Sequence, residues 1–575
     1  MKLIIREYLA SLKERDELDA MLPDLLSQIG FEVFSKPSTG GRQYGVDVAA
    51  YGSLGEEAEK VYLFTVKAGD INRSIWNTAS PQSLKPSLDE ILDDYIPTHL
   101  PSEYANKPIE ICICFGGDIK ENVRFNLTNY EEKHKTERIS FSEWGGERLA
   151  AYVEKYLLRE ELLPDKCRSL LRKSLAMLDE ADVSYKYFRQ LIHQLSSQEF
   201  NKPQQILTSI RQQYICLWIL YGWCREADNL ESSFLAGEVT LLNAWFLAKN
   251  HFEKKNKTSR AIVDTLASTQ MLNLIIASHF LEEKVLPHTG KLYALSSAVN
   301  PSCSVDVNIK LFDLLGRIAI TGIWGHWVVT RLSLITNNES NITKSTEQVY
   351  RYQAAIKQLI TNNPILFAPC KDEQAIDITI AGWFLALHEH NHSDLKTWLN
   401  QVVQTISFLF GTNGNYPCTI NAYHELIEHP KPESDSYREE VTKGSILYPY
   451  ISTFAAIFKF DEVFSGVKEL QTKYLPHCNF QVWFPDKTSE DHFYLNDAMH
   501  GATLSNVNLD NDKITFLKEL FEECELSSSF DELSAVKYGH WPMILLACRH
   551  YRMPVPMHFL KGLIANPLEP NKDVE

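Results

Sequence analysis

In residues 1–165, hydrophobic positions follow a helical period in some segments and the run pattern of β-strands in others. Residues 19–29 place their apolar side chains on one helical face, and Gly30 follows as a typical helix stop. Further helices are predicted near 87–95 and 147–158. Runs of β-branched and aromatic residues predict strands at 31–34, 46–50, 61–67, 109–115 and 139–141. This order of elements predicts an α/β domain.

Beyond residue 165 the strand patterns nearly vanish, and long segments with helical periodicity recur. Short polar or proline-containing breaks separate these segments, which span residues 205–225, 232–252, 260–286, 306–335, 346–360, 376–388, 395–409 and 443–460. A β-type interruption is expected at 478–484. We therefore predict an all-α region over 166–575, and a subdivision near residue 430 stays open. A solenoid-like array is one arrangement for this region, although the sequence has no repeat of fixed length.

Length and composition restrict the class of protein. A chain of 575 residues is too long for one core, and 44% hydrophobic with 23% charged residues is ordinary globular usage. The net charge of −17 disfavours a nucleic-acid coat or a binder of anionic membranes. The longest apolar run, residues 214–224, is about half as long as a membrane span, and a secretory signal pattern is not seen. We expect a soluble cytoplasmic protein with two domains, 1–165 and 166–575.

The eleven cysteines are scattered along the chain, without a C-x-x-C pair and without zinc-finger spacing. The closest two, Cys112 and Cys114, lie two residues apart in a predicted strand. Their side chains therefore share one face of that strand, where we expect them to pack as small hydrophobic groups.

Candidate chemistry is concentrated between residues 19 and 77. Asp47 lies in a short apolar strand after a glycine, and Thr65 and Lys67 are two apart on the next strand, so both project from one face. If the two strands pair, a carboxylate, a hydroxyl and an ammonium come together. This set suits metal-dependent hydrolysis of a phosphodiester, in which the carboxylate holds Mg²⁺ and the lysine orients or deprotonates the nucleophile. The spacing alone arises easily by chance.

The order of the surrounding motifs resembles the PD-(D/E)xK nuclease superfamily, particularly Mrr-like restriction endonuclease domains. The motifs are residues 25–31 (LLSQIGF), 45–48 (GVDV) and 65–67 (TVK), and the predicted strand and helix at 139–158 resemble the closing elements of that fold. The resemblance covers about a quarter of the chain. It implies a restriction-endonuclease-like α/β fold, with Asp47 as metal carboxylate, Lys67 as catalytic lysine and Asp19 as the outer carboxylate on the first helix. The implied cofactor is Mg²⁺ or Mn²⁺.

Thr65 is a departure from the family pattern, which usually has Glu, Asp or Gln at this position. Its hydroxyl is a weaker neutral ligand than a carboxylate. Three outcomes stay open: a metal site formed by Asp47, Thr65 and Asp19 with reduced activity, recruitment of another carboxylate such as Asp70, or an inactive site.

Four residues are candidates for contact with nucleic acid. Arg73 and Lys85 are suited to phosphates, as is Arg42 in the glycine-rich loop, and Trp76 is suited either to stacking on a base or to packing under a helix. However, residues 1–165 contain 19 basic and 29 acidic residues, a net charge of −10. We therefore expect this domain alone to bind DNA poorly.

A competing motif lies in the helical region. Residues 388–392 (HEHNH) satisfy the H-E-x-x-H pattern of zinc peptidases, in which His388 and His392 would bind zinc and Glu389 would act as base. The apolar helix ends here, so the continuous helix that this geometry needs is not predicted. We interpret the motif as a polar loop between helices.

The sequence therefore predicts a Mg²⁺-dependent endonuclease acting on DNA, with RNA as the second choice, fused to a helical region that senses, scaffolds or oligomerises. The resemblance implies a regulated effector in prokaryotic antiphage defence or restriction. The expected partners are nucleic acid and either a protein or further copies of the chain bound through the helical region, with no membrane. The alternative is a non-catalytic interaction or scaffold protein with a degenerate nuclease fold.

Overall fold

The computed structural model describes residues 5, 6, 9, 10, 12, 14–36, 43–55, 57–78, 83–157, 165–299, 303–335, 339–431 and 435–564. The chain divides into two compact units. The first comprises Met1–Ala236 and Lys255–Thr265, and the second comprises Gly237–Lys254 and Leu266–Glu575.

The first unit contains a five-stranded mixed sheet with the strand order β1-β2-β3-β4-β5. The strands are β1 Glu32–Ser35, β2 Val48–Gly52, β3 Lys60–Lys67, β4 Ile109–Phe115 and β5 Ile139–Trp144. The first three are antiparallel, whereas β4 runs parallel to β3 and β5 runs parallel to β4. Because β3 and β4 lie in the middle of the sheet and are covered on both faces, nearly all of their residues are buried.

Helices cover both faces of this sheet. They are α1 Asp19–Ile29, α2 Arg73–Trp76, α3 Leu84–Glu90, α4 Glu121–His134 and α5 Gly146–Tyr152. Apolar side chains of α3 and α4 form one core with Leu63 and Ile111 of the strands. On the opposite face, Phe31 packs edge-on against Tyr62, and Phe64 packs edge-on against Trp144. The alternation of side chains along β3 sends neighbouring residues into these two cores.

Several helical segments have the wider π or the tighter 3-10 geometry. π-helical turns precede α1 at Glu14–Leu18, extend α3 through Ile91–His99 and extend α5 through Val153–Leu157. The first unit continues with α6 Asp165–Ala176, α7 Ala181–Ser196 and α8 Pro203–Glu226. Helix α8 is buried over most of its circumference, which explains its long apolar run without a membrane.

The second unit is built mainly from helices. The chain enters it within α9 Glu231–Ala248 and again within α10 Lys257–Phe280. Its further helices are α11 Leu286–Thr289, α12 Ala294–Val299, α13 Ser304–Ile335, α14 Glu339–Asn362, α15 Ala375–Ala386, α16 His392–Thr412, α17 Tyr423–Ile427, α18 Asp435–Val441, α19 Leu447–Ile457, α20 Asp461–Tyr474, α21 Ser489–His492, α22 Lys513–Leu526, α23 Ser529–Glu532, α24 Ser534–Lys537, α25 Pro542–Tyr551 and α26 Met557–Lys561.

Short connecting elements complete the second unit. A π-helical turn at Leu281–Val285 and 3-10 turns at Lys249–His251, Pro364–Phe367, Asp372–Gln374 and Glu389–Asn391 link the helices, and a further 3-10 turn, Ser102–Tyr104, lies in the first unit. Two small sheets pair β6 Gly444–Ser445 with β7 Asn479–Phe480 and β8 Val482–Phe484 with β9 Ala502–Leu504. These strands confirm the β-type interruption predicted at 478–484.

The predicted fold class is confirmed at the level of an α/β region followed by a largely helical one. The boundary of the first compact unit does not coincide with the change from mixed to helical structure near residue 165. Helices α6–α8 belong to the first unit and extend it past this point. One described stretch, Lys257–Thr289, is long and apolar enough to cross a membrane, but half of its apolar window is buried in the protein. Core helices of soluble proteins share this property. Cys112 and Cys114 are buried on β4, as predicted.

Candidate functional site

Asp47 lies immediately before β2 and is joined to β3 by two hydrogen bonds. Its backbone N–H donates to the carbonyl oxygen of Phe64 at 2.8 Å, and its Oδ2 accepts from the N–H of Val66 at 2.7 Å. The carboxylate therefore occupies the place of a backbone carbonyl at the end of the ladder. A carboxylate accepts several hydrogen bonds or metal bonds at once, so this contact leaves it able to bind a cation.

Gly45 explains why the chain turns so tightly before Asp47. Its φ is +77°, a region that side chains rarely adopt, and a Cβ at this position would lie 2.1 Å from the carbonyl oxygen of Ser87. Helix α3 therefore approaches the backbone of the loop closely. The glycine of the GVDV motif fixes the position from which Asp47 reaches β3.

Thr65 and Lys67 lie at the carboxyl end of β3, near Asp47. Val48 pairs with Phe64 in the antiparallel ladder, and the carboxylate of Asp47, just before Val48, accepts from the N–H of Val66, which lies between Thr65 and Lys67. Thr65 is fully buried, and among the described residues its Oγ1 has no hydrogen-bond partner. Buried hydroxyls are normally paired, so an isolated one marks a place where a ligand or water is expected. The structure thus places the predicted carboxylate and hydroxyl at adjoining ends of β2 and β3.

Lys67 is buried beside a carboxylate that the sequence prediction missed. Its Nζ lies 3.1 Å from Oε1 of Glu14, and its side chain is only 5% exposed. Glu14 belongs to the π-helical turn before α1. The motif pattern noted in the sequence has an acidic residue on the first helix; this turn also contains Glu17, and Asp19 follows it, so the pattern alone did not select Glu14.

Asp19 was predicted to be the outer carboxylate, and this role stays a prediction. It is the first residue of α1 and is buried, with 8% exposure. Burial raises the pKa of Tyr214 in α8, and the negative charges of Asp24 and Asp19 raise it further. Asp19 therefore acts on the interface between α1 and α8, while the carboxylate that contacts Lys67 is Glu14.

Burial and the charge of Asp47 both act on the thiol of Cys114, which lies on the strand next to β3. Cys114 pairs with Val66 across β3 and β4, and its thiol is buried. Burial raises the pKa of this thiol, and the nearby carboxylate of Asp47 raises it further. The thiol is therefore neutral and poorly nucleophilic, and it carries none of the chemistry of this site.

The candidate site offers few oxygen donors for a metal ion. Groups of three or more His, Cys, Asp or Glu side chains able to hold a metal are absent from the described part of the chain. Mg²⁺ commonly takes one or two carboxylates and completes its octahedron with water and substrate phosphates. The Asp47 carboxylate and the unpaired Thr65 hydroxyl fit such a site, since both are hard oxygen donors.

Asp70, the other carboxylate considered as a replacement ligand, is engaged elsewhere. It forms an ion pair with Lys120 at 2.6 Å and accepts a hydrogen bond from the N–H of Asp118 at 2.8 Å. The hydrogen bond from Lys120 and that from Asp118 hold the pKa of Asp70 below its usual range. This carboxylate therefore joins two loops at the end of the sheet.

The predicted nucleic-acid residues have different outcomes. Arg73 is exposed at the start of α2, and Lys85 is half-buried on α3, so both remain available to phosphates. Trp76 is only 7% exposed and packs edge-on against Tyr130 at 5.8 Å between ring centres. This packing contradicts a base-stacking role for Trp76. Arg42 lies outside the described residues.

The H-E-x-x-H segment forms a loop, as predicted. Helix α15 ends at Ala386, residues Glu389–Asn391 form a 3-10 turn, and His392 begins α16. The Nδ1 of His388 lies 2.9 Å from Nε2 of Gln353, and the Nε2 of His392 lies 3.1 Å from the carbonyl oxygen of Ala386. The two histidines therefore serve the packing of helix ends.

Comparison of the chain with protein-family models, with curated proteins and with solved structures finds no match. The functional assignment therefore depends on the geometry of the strand ends and on the sequence resemblance.

Proposed function

We propose that the first unit is a metal-dependent nuclease domain. The supporting observation is the arrangement of Asp47, Thr65 and Lys67 at adjoining ends of β2 and β3, with a buried Thr65 hydroxyl that has no hydrogen-bond partner within the part of the chain that the structure describes. The resemblance to PD-(D/E)xK nucleases gives these three positions their roles. Helices on both faces of a mixed sheet are consistent with that resemblance.

Asp47 and Thr65 would hold Mg²⁺ or Mn²⁺ in this proposal. When bound, the metal supplies the polarisation of water and the neutralisation of phosphate charge that phosphodiester hydrolysis requires. Lys67 carries a positive charge next to this position, where it orients the attacking water and stabilises charge on the phosphate oxygens. Because Thr65 and Lys67 are buried, substrate has to gain access before the chemistry takes place.

DNA is the favoured substrate and RNA the second choice, as the resemblance implies. The net charge of −10 over residues 1–165 disfavours strong binding by this region alone. We therefore infer that exposed cations such as Arg73 grip the backbone locally, and that a protein partner or further copies of the chain contribute through the helical region. A nuclease domain that depends on a helical partner-binding region is consistent with a cytoplasmic effector in antiphage defence or restriction.

A non-catalytic scaffold is the second candidate, and two observations favour it. Lys67 is tied to Glu14, and threonine replaces the usual acidic residue at position 65. In this case the α/β region would be a docking module, and the helical region would bind a protein partner.

Cleavage of single- and double-stranded DNA and of RNA, with Mg²⁺ or Mn²⁺, separates the two candidates. Asp47→Asn retains an oxygen that accepts from Val66 but removes the charge, and Lys67→Met removes the ammonium. Each variant is expected to lose about a hundredfold or more in cleavage rate. Lys60→Met, at the other end of β3, is the control and is expected to cleave like wild type. Equal activity in all four proteins would exclude the nuclease.

A further inference from the structure

The π-helical turn Glu14–Leu18 carries two carboxylates that form ion pairs with different parts of the first unit. Glu14 lies 3.1 Å from Nζ of Lys67 in the sheet, and Glu17 lies 2.6 Å from Nη1 of Arg225 in α8. A single turn of helix therefore connects the candidate catalytic lysine to a helix outside the α/β region.

Both ion pairs are shielded from water. The side chains of Glu17 and Arg225 are 8% and 13% exposed, and that of Lys67 is 5% exposed, whereas Glu14 is 32% exposed. Screening is weak at such positions, so removing one partner leaves a charge that the surroundings do not solvate. Leu18, fully buried at the end of the turn, anchors it. The turn is therefore held in place by both pairs.

Helix α8 lies along the turn and along α1. Arg211 donates to Oε1 of Gln28 near the end of α1 at 3.0 Å, and Arg225 contacts Glu17 before its start. The sequence numbers increase on α8 as they decrease on the turn and α1, so the two run antiparallel. Asp24, between these points, is half-buried, and the positive charge of Arg211 acts on its carboxylate. A displacement of α8 along its axis would therefore act on the turn directly.

The same end of the chain covers the candidate site. A Cβ added to Gly116, just after β4, would lie 1.8 Å from the carbonyl oxygen of Leu9, and one added to Gly69, just after β3, would lie 3.8 Å from that of Ala10. The backbone before the turn thus touches the carboxyl ends of both central strands. Thr65 and Lys67 are buried in this arrangement, so the structure shows a closed site.

We propose that the turn Glu14–Leu18 is an autoinhibitory relay: Arg225 of α8 holds Glu17, and the turn thereby keeps Glu14 on Lys67. Movement of α8 breaks the Glu17–Arg225 pair, releases the turn and frees the lysine. This inference rests on the proposed nuclease function for its biological meaning, but its mechanical content is independent of cleavage. The chain enters the second unit soon after α8, so a signal received by the helical region has a short covalent route to Arg225.

Chemical labelling of Lys67 in the full chain tests the relay. Brief acetylation of lysines, followed by mass spectrometry, measures the accessibility of Lys67 relative to Lys60 on the same strand. Glu17→Gln and Arg225→Gln are each expected to raise Lys67 labelling about tenfold, within the range of about 5- to 150-fold that allosteric coupling usually spans. The double variant Glu17→Arg with Arg225→Glu restores the pair with reversed charges and is expected to restore protection.

Glu57→Gln is the matched control, because Glu57 pairs with Lys60 at the far end of β3 at 3.1 Å. It is expected to change labelling of Lys60 and not of Lys67. Unchanged Lys67 labelling in both single variants overturns the relay. A parallel rise at Lys60 and Lys67 in Glu17→Gln also overturns it, since that result means unfolding of the strand. Failure of the charge reversal to restore protection in a chain that keeps wild-type Lys60 labelling overturns it as well.

Cleavage measured on the same samples separates this inference from the proposed function. Under both proposals, Glu17→Gln cleaves nucleic acid faster than wild type, by about the factor found for labelling. Exposure of Lys67 without cleavage of DNA or RNA in either metal overturns the nuclease and leaves the relay. Cleavage that is equal in wild type and Glu17→Gln, with Lys67 protected in both, overturns the relay and leaves the nuclease.

Discussion

Thr65→Val is expected to stabilise the first unit while weakening its response to Mg²⁺. Threonine and valine have nearly the same shape, so the substitution removes only the hydroxyl. Thr65 is fully buried and its Oγ1 makes no hydrogen bond within the described residues. The folded protein therefore bears the cost of dehydrating this hydroxyl, about 1–3 kcal/mol, with no compensating contact. A valine at this position is expected to recover roughly that amount in EDTA.

Bound Mg²⁺ is expected to reduce the difference in stability between wild type and Thr65→Val. Binding to the folded state alone stabilises by RT ln(1 + [L]/Kd), which is about 1.4 kcal/mol for Mg²⁺ at about ten times its Kd. Wild type is expected to gain this stabilisation, whereas Thr65→Val lacks one ligand and gains less. A side chain that costs stability and improves ligand binding is the pattern expected of a functional residue.

Hydrogen exchange of peptides covering Lys60–Lys67, in EDTA and in Mg²⁺, measures both effects locally and avoids the problem that a two-unit chain has no single unfolding free energy. Thr379→Val in α15 is the control, because Thr379 is also buried with an unpaired hydroxyl among the described residues. It is expected to stabilise its own helix equally with and without metal. If Thr65→Val destabilises the strand in EDTA, the hydroxyl of Thr65 is paired after all. If Mg²⁺ stabilises wild type and variant equally, the hydroxyl is not a metal ligand.

Two further predictions concern buried charges. Arg549→Met leaves Glu238 and Asp313 without the guanidinium that contacts them at 2.5 and 2.8 Å, so hydrogen exchange of peptides covering Pro542–Tyr551 is expected to show a local loss of stability of about 3–5 kcal/mol. Lys537→Met, which removes an exposed ion pair, is expected to leave this exchange unchanged. Burial raises the pKa of Glu131 from 4.5 to about 7, so its contribution to stability is complete below pH 4.5 and is lost as the pH rises through 7. Glu131→Gln is therefore expected to flatten the dependence of unfolding on pH between 4.5 and 8, and an unchanged slope contradicts this reasoning.

Local periodicity predicted the elements of the α/β region closely. The helix expected at residues 19–29 is present as Asp19–Ile29, and the strand expected at 109–115 is Ile109–Phe115. These segments succeed because a helical face or a fully buried central strand requires a continuous apolar pattern. The helix expected at 87–95 begins earlier, at Leu84, and continues as a π-helix to His99. The ends of this helix depend on packing against the sheet, and the local periodicity of the sequence carries no information about that packing.

The boundaries of the two compact units were harder to predict from the sequence than the helices and strands. The change from mixed to helical patterns near residue 165 is visible in the sequence, but α8 belongs to the first unit. In the structure Arg225 pairs with Glu17 and Arg211 donates to Gln28, and these contacts place α8 beside α1. Such long-range pairings are not encoded in any local window.

The sequence by itself determined which groups are available for chemistry: Asp47 behind Gly45, and Thr65 and Lys67 on one face of the next strand. Residue type and strand alternation suffice for this, because they are local properties. Only the tertiary structure decided that Asp47 accepts from the N–H of Val66, that the buried Thr65 hydroxyl has no partner among the described residues, and that Glu14 contacts Lys67. The reason is physical: burial and ion pairing are set by segments distant in sequence, which meet only when the chain has folded.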